Sequence, residues 1–148
     1  MGAVANAALE EGGEVVGVIP EALLAREIAH EGLTKLYVVG SMHERKRLMD
    51  ELSDGFVTLP GGYGTFEEFL EVISWAQLGI HGKPCGLLDV DGYYQSLATL
   101  FDEAVKEGFL PPRHRSLVLT ERDPASLLDA MHRYTPPETK RWADPRDI

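Results

Sequence analysis

Short apolar runs alternate with amphipathic helical stretches along almost the whole chain. Residues 15–19 (VVGVI) form a continuous apolar run of strand length that stops at Pro20, and residues 36–39 (LYVV) and 56–59 (FVTL) repeat the pattern between glycine or proline boundaries. Leu87 and Leu88 with Val90, and residues 117–119 (LVL), predict two further strands. Continuous rather than alternating apolar character is what a strand buried on both faces requires. Between these runs the spacing predicts helices over 3–11, ending at Gly12-Gly13, over 42–52, over 66–80 and over 94–106. A last helix starts near Asp123-Pro124, where Asp suits the cap and Pro the first turn. Strands alternating with helices of this length predict an α/β fold, a doubly wound parallel sheet covered on both faces. Beyond Tyr134 periodicity ends, so one domain is expected over 1–134 with a tail over 135–148.

The longest helix carries more apolar surface than one core face uses. Phe66, Phe69, Leu70, Ile73 and Ile80 define a stripe at helical spacing, yet Val72, Trp75 and Leu78 lie on neighbouring faces. Either the core is unusually deep, or a second copy of the chain covers the remainder as a homodimer.

Composition narrows the class. The 148 residues are 44% hydrophobic and 26% charged, ordinary values for a globular domain. A formal charge of −10 repels phosphate at long range, which excludes a general nucleic-acid or anionic-membrane binder. Any anion site must be local, made from backbone N–H groups and a few placed cations. The single cysteine, Cys85, excludes an internal disulfide and fits a reducing, cytoplasmic setting. No run approaches the roughly 20 apolar residues of a membrane helix. Residues 1–13 lack the basic, apolar pattern of a secretory leader, and Asn6 stands where a myristoylation motif needs Ser or Thr.

Candidate chemistry concentrates after two strands. The run FVTL leads into Pro60-Gly61-Gly62-Tyr63-Gly64-Thr65 immediately before the long helix. Glycines there allow a tight turn and close approach of a ligand to N–H groups at the positive end of a helix, at the carboxyl end of a parallel strand. The spacing is neither that of a P-loop nor the dinucleotide G-x-G-x-x-G. Thr65 and Glu68 have S/T-x-x-E spacing, so Glu68 either caps its own helix or faces a bound sugar. Glu67, equally acidic, points about 100° away around the helix. The second cluster, Ser41-Met42-His43-Glu44-Arg45-Lys46-Arg47, places three of the 14 Lys and Arg residues side by side. It is either a solvated helix face or a binding feature at a strand's carboxyl end.

Together these clusters resemble the LOG proteins, the cytokinin-activating nucleoside 5′-monophosphate phosphoribohydrolases. Residues 60–68 match their PGGxGTxxE motif and residues 42–46 their MHxRK segment. The likeness extends through residues 75–81, 86–88, 91–94 and 107–109, and upstream through 17–20 and 26–30, covering nearly all of 1–134.

The resemblance implies a Rossmann-like fold and cleavage of the N-glycosidic bond of a purine nucleoside 5′-monophosphate, either AMP or an N6-isoprenoid AMP, to free base and ribose 5-phosphate. It places the catalytic residues at Arg45 and Glu68. Nucleotide contacts fall on Glu27, Met42, Lys46, Gly61, Gly62, Tyr63, Gly64, Thr65, Glu67 and Ser74. No metal or other cofactor is implied. The oxocarbenium character of the breaking bond calls for a nearby carboxylate, which suits Glu68. In the family a strand, a helix and a second strand, roughly 30–45 residues as in a βαβ unit, come before the region that Met1 matches, so an N-terminally shortened sheet is expected. Three rival readings stand beside this one: a nucleotide-binding protein that does not cleave, a structural protein with no ligand, and a lysine decarboxylase. The last would need pyridoxal phosphate on a lysine, of which Lys46 and Lys83 are the two near the motifs, and an absorbance scan would detect it.

Overall fold

The computed structural model describes residues 2–24 and 32–138. The chain divides into two compact units, residues 1–53 and 54–148, and both are parallel α/β structures.

The first unit contains helix α1 (Gly2–Glu10), strand β1 (Val16–Pro20), the short helix α2 (Glu21–Leu24), strand β2 (Lys35–Val39) and helix α3 (Met42–Leu52). β1 and β2 pair in parallel, Val16 opposite Lys35 through Pro20 opposite Val39. Gly12 takes φ 78°, the left-handed conformation that stops α1 at the predicted place. α3 packs on both strands.

The second unit contains β3 (Phe56–Thr58), α4 (Tyr63–Gln77), β4 (Cys85–Leu88), α5 (Gln95–Lys106), α6 (Pro112–Arg115), β5 (Val118–Glu121) and α7 (Pro124–His132). Its sheet has the order β3-β4-β5, all parallel. β4 is central and buried along its whole length, and its successive side chains point to opposite faces. On one face Leu87 joins Phe69, Tyr94 and Val118, flanked by Phe66, Ile73, Leu97 and Phe101 of α4 and α5. On the other face Gly86 lies under α7, where an added Cβ would come within 2.8 Å of Leu127 Cδ1. β4 is therefore covered on both faces, whereas Val57 of β3 is 46% exposed, so burial on both faces holds for the central strand and not for the FVTL run.

Two expectations for α4 change. The helix starts at Tyr63, three residues before the predicted Phe66, and ends at Gln77. Its buried face is Phe69, Val72 and Ala76, while Leu70 is exposed. The predicted stripe is thus kept in part: Phe66, Phe69 and Ile73 lie on the core side, Val72 and Ala76 are buried as well, and Leu70 is not.

Candidate active site

The glycine loop sits at the carboxyl end of β3 and opens α4. Gly62 is the N-cap, with extended backbone, and accepts hydrogen bonds at its carbonyl from Thr65 N (3.0 Å) and Phe66 N (3.1 Å). The N-cap residue itself makes no side-chain hydrogen bond to the helix. Thr65 is inside the first turn and is not the N-cap, so of the two readings of Glu68 the capping box at Thr65 does not form.

The glycines of the loop divide by what surrounds them. A Cβ on Gly61 would lie 2.8 Å from Thr65 Cβ, so packing within the protein itself excludes a side chain there. A Cβ on Gly62 or Gly64 would meet nothing within 4 Å. Neither has a positive φ that would demand glycine. The space above the first turn of α4 is open, and Tyr63 between them is 93% exposed. Glu68 is half-buried one turn into the helix and Glu67 is exposed, the difference that their 100° separation predicts. Ser74 is further along α4, exposed, and its hydroxyl donates to Leu70 O (2.7 Å).

The basic cluster forms the start of α3. Ser41 is its N-cap: Ser41 Oγ accepts from Glu44 N (3.1 Å), and Glu44 Oε2 accepts from Gly40 N (2.7 Å). A side-chain cap of the S-x-x-E kind is thus present, at Ser41–Glu44. The three cations separate. Arg47 faces solvent in an ion pair with Glu51 (2.9 Å), of the exposed kind that contributes at most a few tenths of a kcal/mol. Arg45 is half-buried, and Lys46 is only 8% exposed. Met42 is exposed on the first turn. The solvated-face reading of this cluster therefore holds for Arg47 and not for Lys46.

The structure thus gathers Gly61, Gly62, Tyr63, Gly64, Thr65, Glu67 and Glu68 at one helix start in the second unit, and Met42, Arg45 and Lys46 at another in the first unit. Glu27 lies outside the described residues. Two tyrosines that sequence reasoning assigned no role touch the glycine loop: Tyr93 Oη donates to Gly61 O (2.6 Å) and Tyr94 Oη to Leu59 O (2.6 Å). Among the described residues no helix is long and apolar enough to cross a membrane.

Comparison with known proteins places these features in a lineage. The model of a family described as "Possible lysine decarboxylase" matches residues 1–131. The chain is 54% identical over 136 residues to the probable cytokinin riboside 5′-monophosphate phosphoribohydrolase LOGL9 of Oryza sativa subsp. japonica, covering 92% of this chain and 60% of that protein. It is 48% identical over 136 residues to the corresponding LOG3 protein of Arabidopsis thaliana, covering 92% of this chain and 63% of the relative. With the cytokinin riboside 5′-monophosphate phosphoribohydrolase of Rhodococcoides fascians it shares 55% identity over 124 residues, 83% of this chain and 63% of the relative. The chain spans about six tenths of the length of these relatives.

Proposed function

From the premise that this chain belongs to the family described as "Possible lysine decarboxylase", to which its LOG relatives correspond, we propose that it hydrolyses the N-glycosidic bond of purine nucleoside 5′-monophosphates. The substrate class is AMP or its N6-isoprenoid derivatives, and the products are the free base and ribose 5-phosphate. The observation that carries this reading is the start of α4. Its N-cap, Gly62, makes no side-chain hydrogen bond, and apart from chain neighbours and the helix's own backbone no described residue comes within 4 Å of a Cβ added at Gly62 or Gly64. A half-buried carboxylate follows one turn later at Glu68.

The first-turn N–H groups and the Thr65 hydroxyl hold the 5′-phosphate, where the partial positive charge of the helix end favours an anion. Glu68 stabilises the ribose as it gains oxocarbenium character and orients the attacking water. Arg45 positions the nucleotide and balances charge as the purine departs. Glu27, Met42, Lys46, Gly61, Tyr63, Glu67 and Ser74 complete the nucleotide contacts. Residues 1–134 are the functional domain, which the family match over 1–131 nearly fills. The protein acts in the cytoplasm as a homodimer, a reading supported by the exposed Leu70 of α4 and the exposed Leu78 at its C-cap.

Release of adenine from AMP, and of base from N6-isopentenyl AMP, tests the reading. Glu68→Gln is expected to lower kcat by about 10²–10⁴ with the circular dichroism spectrum unchanged, and Glu67→Gln, a contact and not a catalytic residue, to raise KM while keeping kcat within about threefold. Equal loss in both variants would refute the role of Glu68, and AMP binding without base release would favour a non-cleaving nucleotide binder.

A further inference from the structure

The loop that opens α4 is held from outside itself. β3 ends at Thr58, and the three residues that follow, Leu59, Pro60 and Gly61, precede the Gly62 cap. Two consecutive tyrosines reach back 32 and 35 residues to two of their carbonyls, Tyr93 to Gly61 O and Tyr94 to Leu59 O, both at 2.6 Å. The tyrosines are themselves aimed by the turn after β4. Asp91 at φ 51° and Gly92 at φ 79° take the left-handed conformation in succession, a backbone that costs a non-glycine residue about 1 kcal/mol or more. Asp89, buried just beyond β4, fixes that turn: its N–H donates to Glu121 O (2.8 Å) and its Oδ1 accepts from Tyr94 N (2.7 Å). Arg122 stands 3.6 Å from Asp89 Oδ2. All three strand ends of this sheet therefore contribute to one brace.

We propose that Tyr93 is a positioning residue for the anion site: its hydroxyl, with that of Tyr94 beside it, holds segment 59–61 so that the Gly62 N–H faces the bound phosphate. The proposal rests on the nucleotide reading of that site. In a trans peptide the carbonyl and the following N–H point in opposite directions. A hydrogen bond that draws Gly61 O toward Tyr93 therefore turns Gly62 N–H away from it. It also turns aside a carbonyl oxygen whose partial negative charge would oppose an anion. Tyr94 acts on the Leu59–Pro60 peptide, which has no N–H to offer, so its hydrogen bond anchors the loop. The two residues differ in what else they do. Tyr94 is 1% exposed and belongs to the core, its ring edge-on to Phe66 at 6.3 Å, and burial followed by the adjacent Tyr93 raises its phenol above the usual range. Tyr93 is 49% exposed, which frees its hydroxyl from any large role in the core.

The test uses the full chain with Tyr93→Phe and Tyr94→Phe, AMP turnover, and calorimetric binding of AMP and of inorganic phosphate. Tyr93→Phe is expected to raise KM for AMP about tenfold with kcat within about threefold, and to weaken phosphate to a similar degree, at an unchanged thermal midpoint. Tyr94→Phe is expected to lower the midpoint as well, since it leaves a carbonyl unpaired at the edge of the core. Base release by wild type with Tyr93→Phe kinetics identical to wild type would overturn the proposal and leave the hydrolase intact. If wild type binds AMP without releasing base, the hydrolase fails instead, and a tenfold weaker Kd in Tyr93→Phe still supports the brace. Wild type that binds neither AMP nor phosphate overturns both, and a Tyr93→Phe midpoint that falls in step with its affinity reduces Tyr93 to a structural residue.

Discussion

Helices α3 and α4 each begin at the carboxyl end of a parallel strand, and each begins on a sequence with the spacing of a side-chain cap. At α3 that cap forms, Ser41 accepting from Glu44 N and Glu44 reaching back to Gly40 N. At α4 it does not; the cap is Gly62, and among the described residues none beyond its chain neighbours would come within 4 Å of a Cβ there. A helix end whose N–H groups are satisfied by its own side chains has little left for an anion, whereas an end without such a cap retains both donors and dipole. The two starts therefore offer different chemistry. α3 contributes side chains, with Arg45 and Lys46 turned toward protein, and α4 contributes backbone, with Glu68 just behind it.

The contrast can be broken at four points. The largest effect beyond the loss of Glu68 is expected from Gly62→Ala. The fold has room for this methyl group, but the proposed phosphate does not, so KM for AMP should rise tenfold or more, order of magnitude, with the melting temperature kept. Retained KM would mean that the open space is not the anion site. Gly61→Ala should do the reverse. Its Cβ collides with Thr65, so stability measured by urea unfolding should fall by about 1–3 kcal/mol. Ser41→Ala removes the cap of α3 and should cost about 1 kcal/mol by the same assay. The smallest effect concerns a third helix start. At α7 the Asp123 carboxylate accepts from Ser126 N (2.8 Å) and the Ser126 hydroxyl (3.0 Å). The backbone N–H of Ser126, then its hydroxyl, hold the Asp123 carboxyl below its usual 3.8. A lowered folded-state pKa gives stability that is fully present above 3.8 and is lost as pH falls through the lower folded value. The difference in thermal midpoint between wild type and Asp123→Asn should therefore be constant near neutrality and close in acid. A glycine-capped start such as that of α4 has no such titrating cap.

Local pattern made most of this architecture legible. The apolar runs marked the strands, although Val38 and Val57 are exposed and only β4 is buried along its whole length, and Gly12 marked the end of α1 because the left-handed turn there suits glycine. The capping spacing stands beside two helix starts, at Ser41–Glu44 and Thr65–Glu68, and pattern alone pointed to the second. What separates them is the run of glycines, since Gly62 can start a helix without a side-chain cap, and the helix then swallows Thr65 into its first turn. On α4 helical spacing found Phe66, Phe69 and Ile73 on the core side and misplaced Leu70, because spacing says which residues share a face and the fold decides how far round that face is covered. The brace formed by Tyr93 and Tyr94 was hidden for a different reason. Its partners are carbonyls more than 30 residues away, and a carbonyl is common to every residue, so no residue type signals it. Asp91-Gly92 was the available hint, a left-handed pair whose geometry becomes informative only beside the loop it serves.

The rate of base release from AMP beside that from adenosine, at equal concentration, tests most directly whether the open start of α4 holds a 5′-phosphate while Glu68 acts on the sugar. The account predicts that kcat/KM for AMP exceeds that for adenosine by about 10² or more, since binding energy from the phosphate is used at the reacting bond. Equal values for the two compounds, or release from neither, would contradict it.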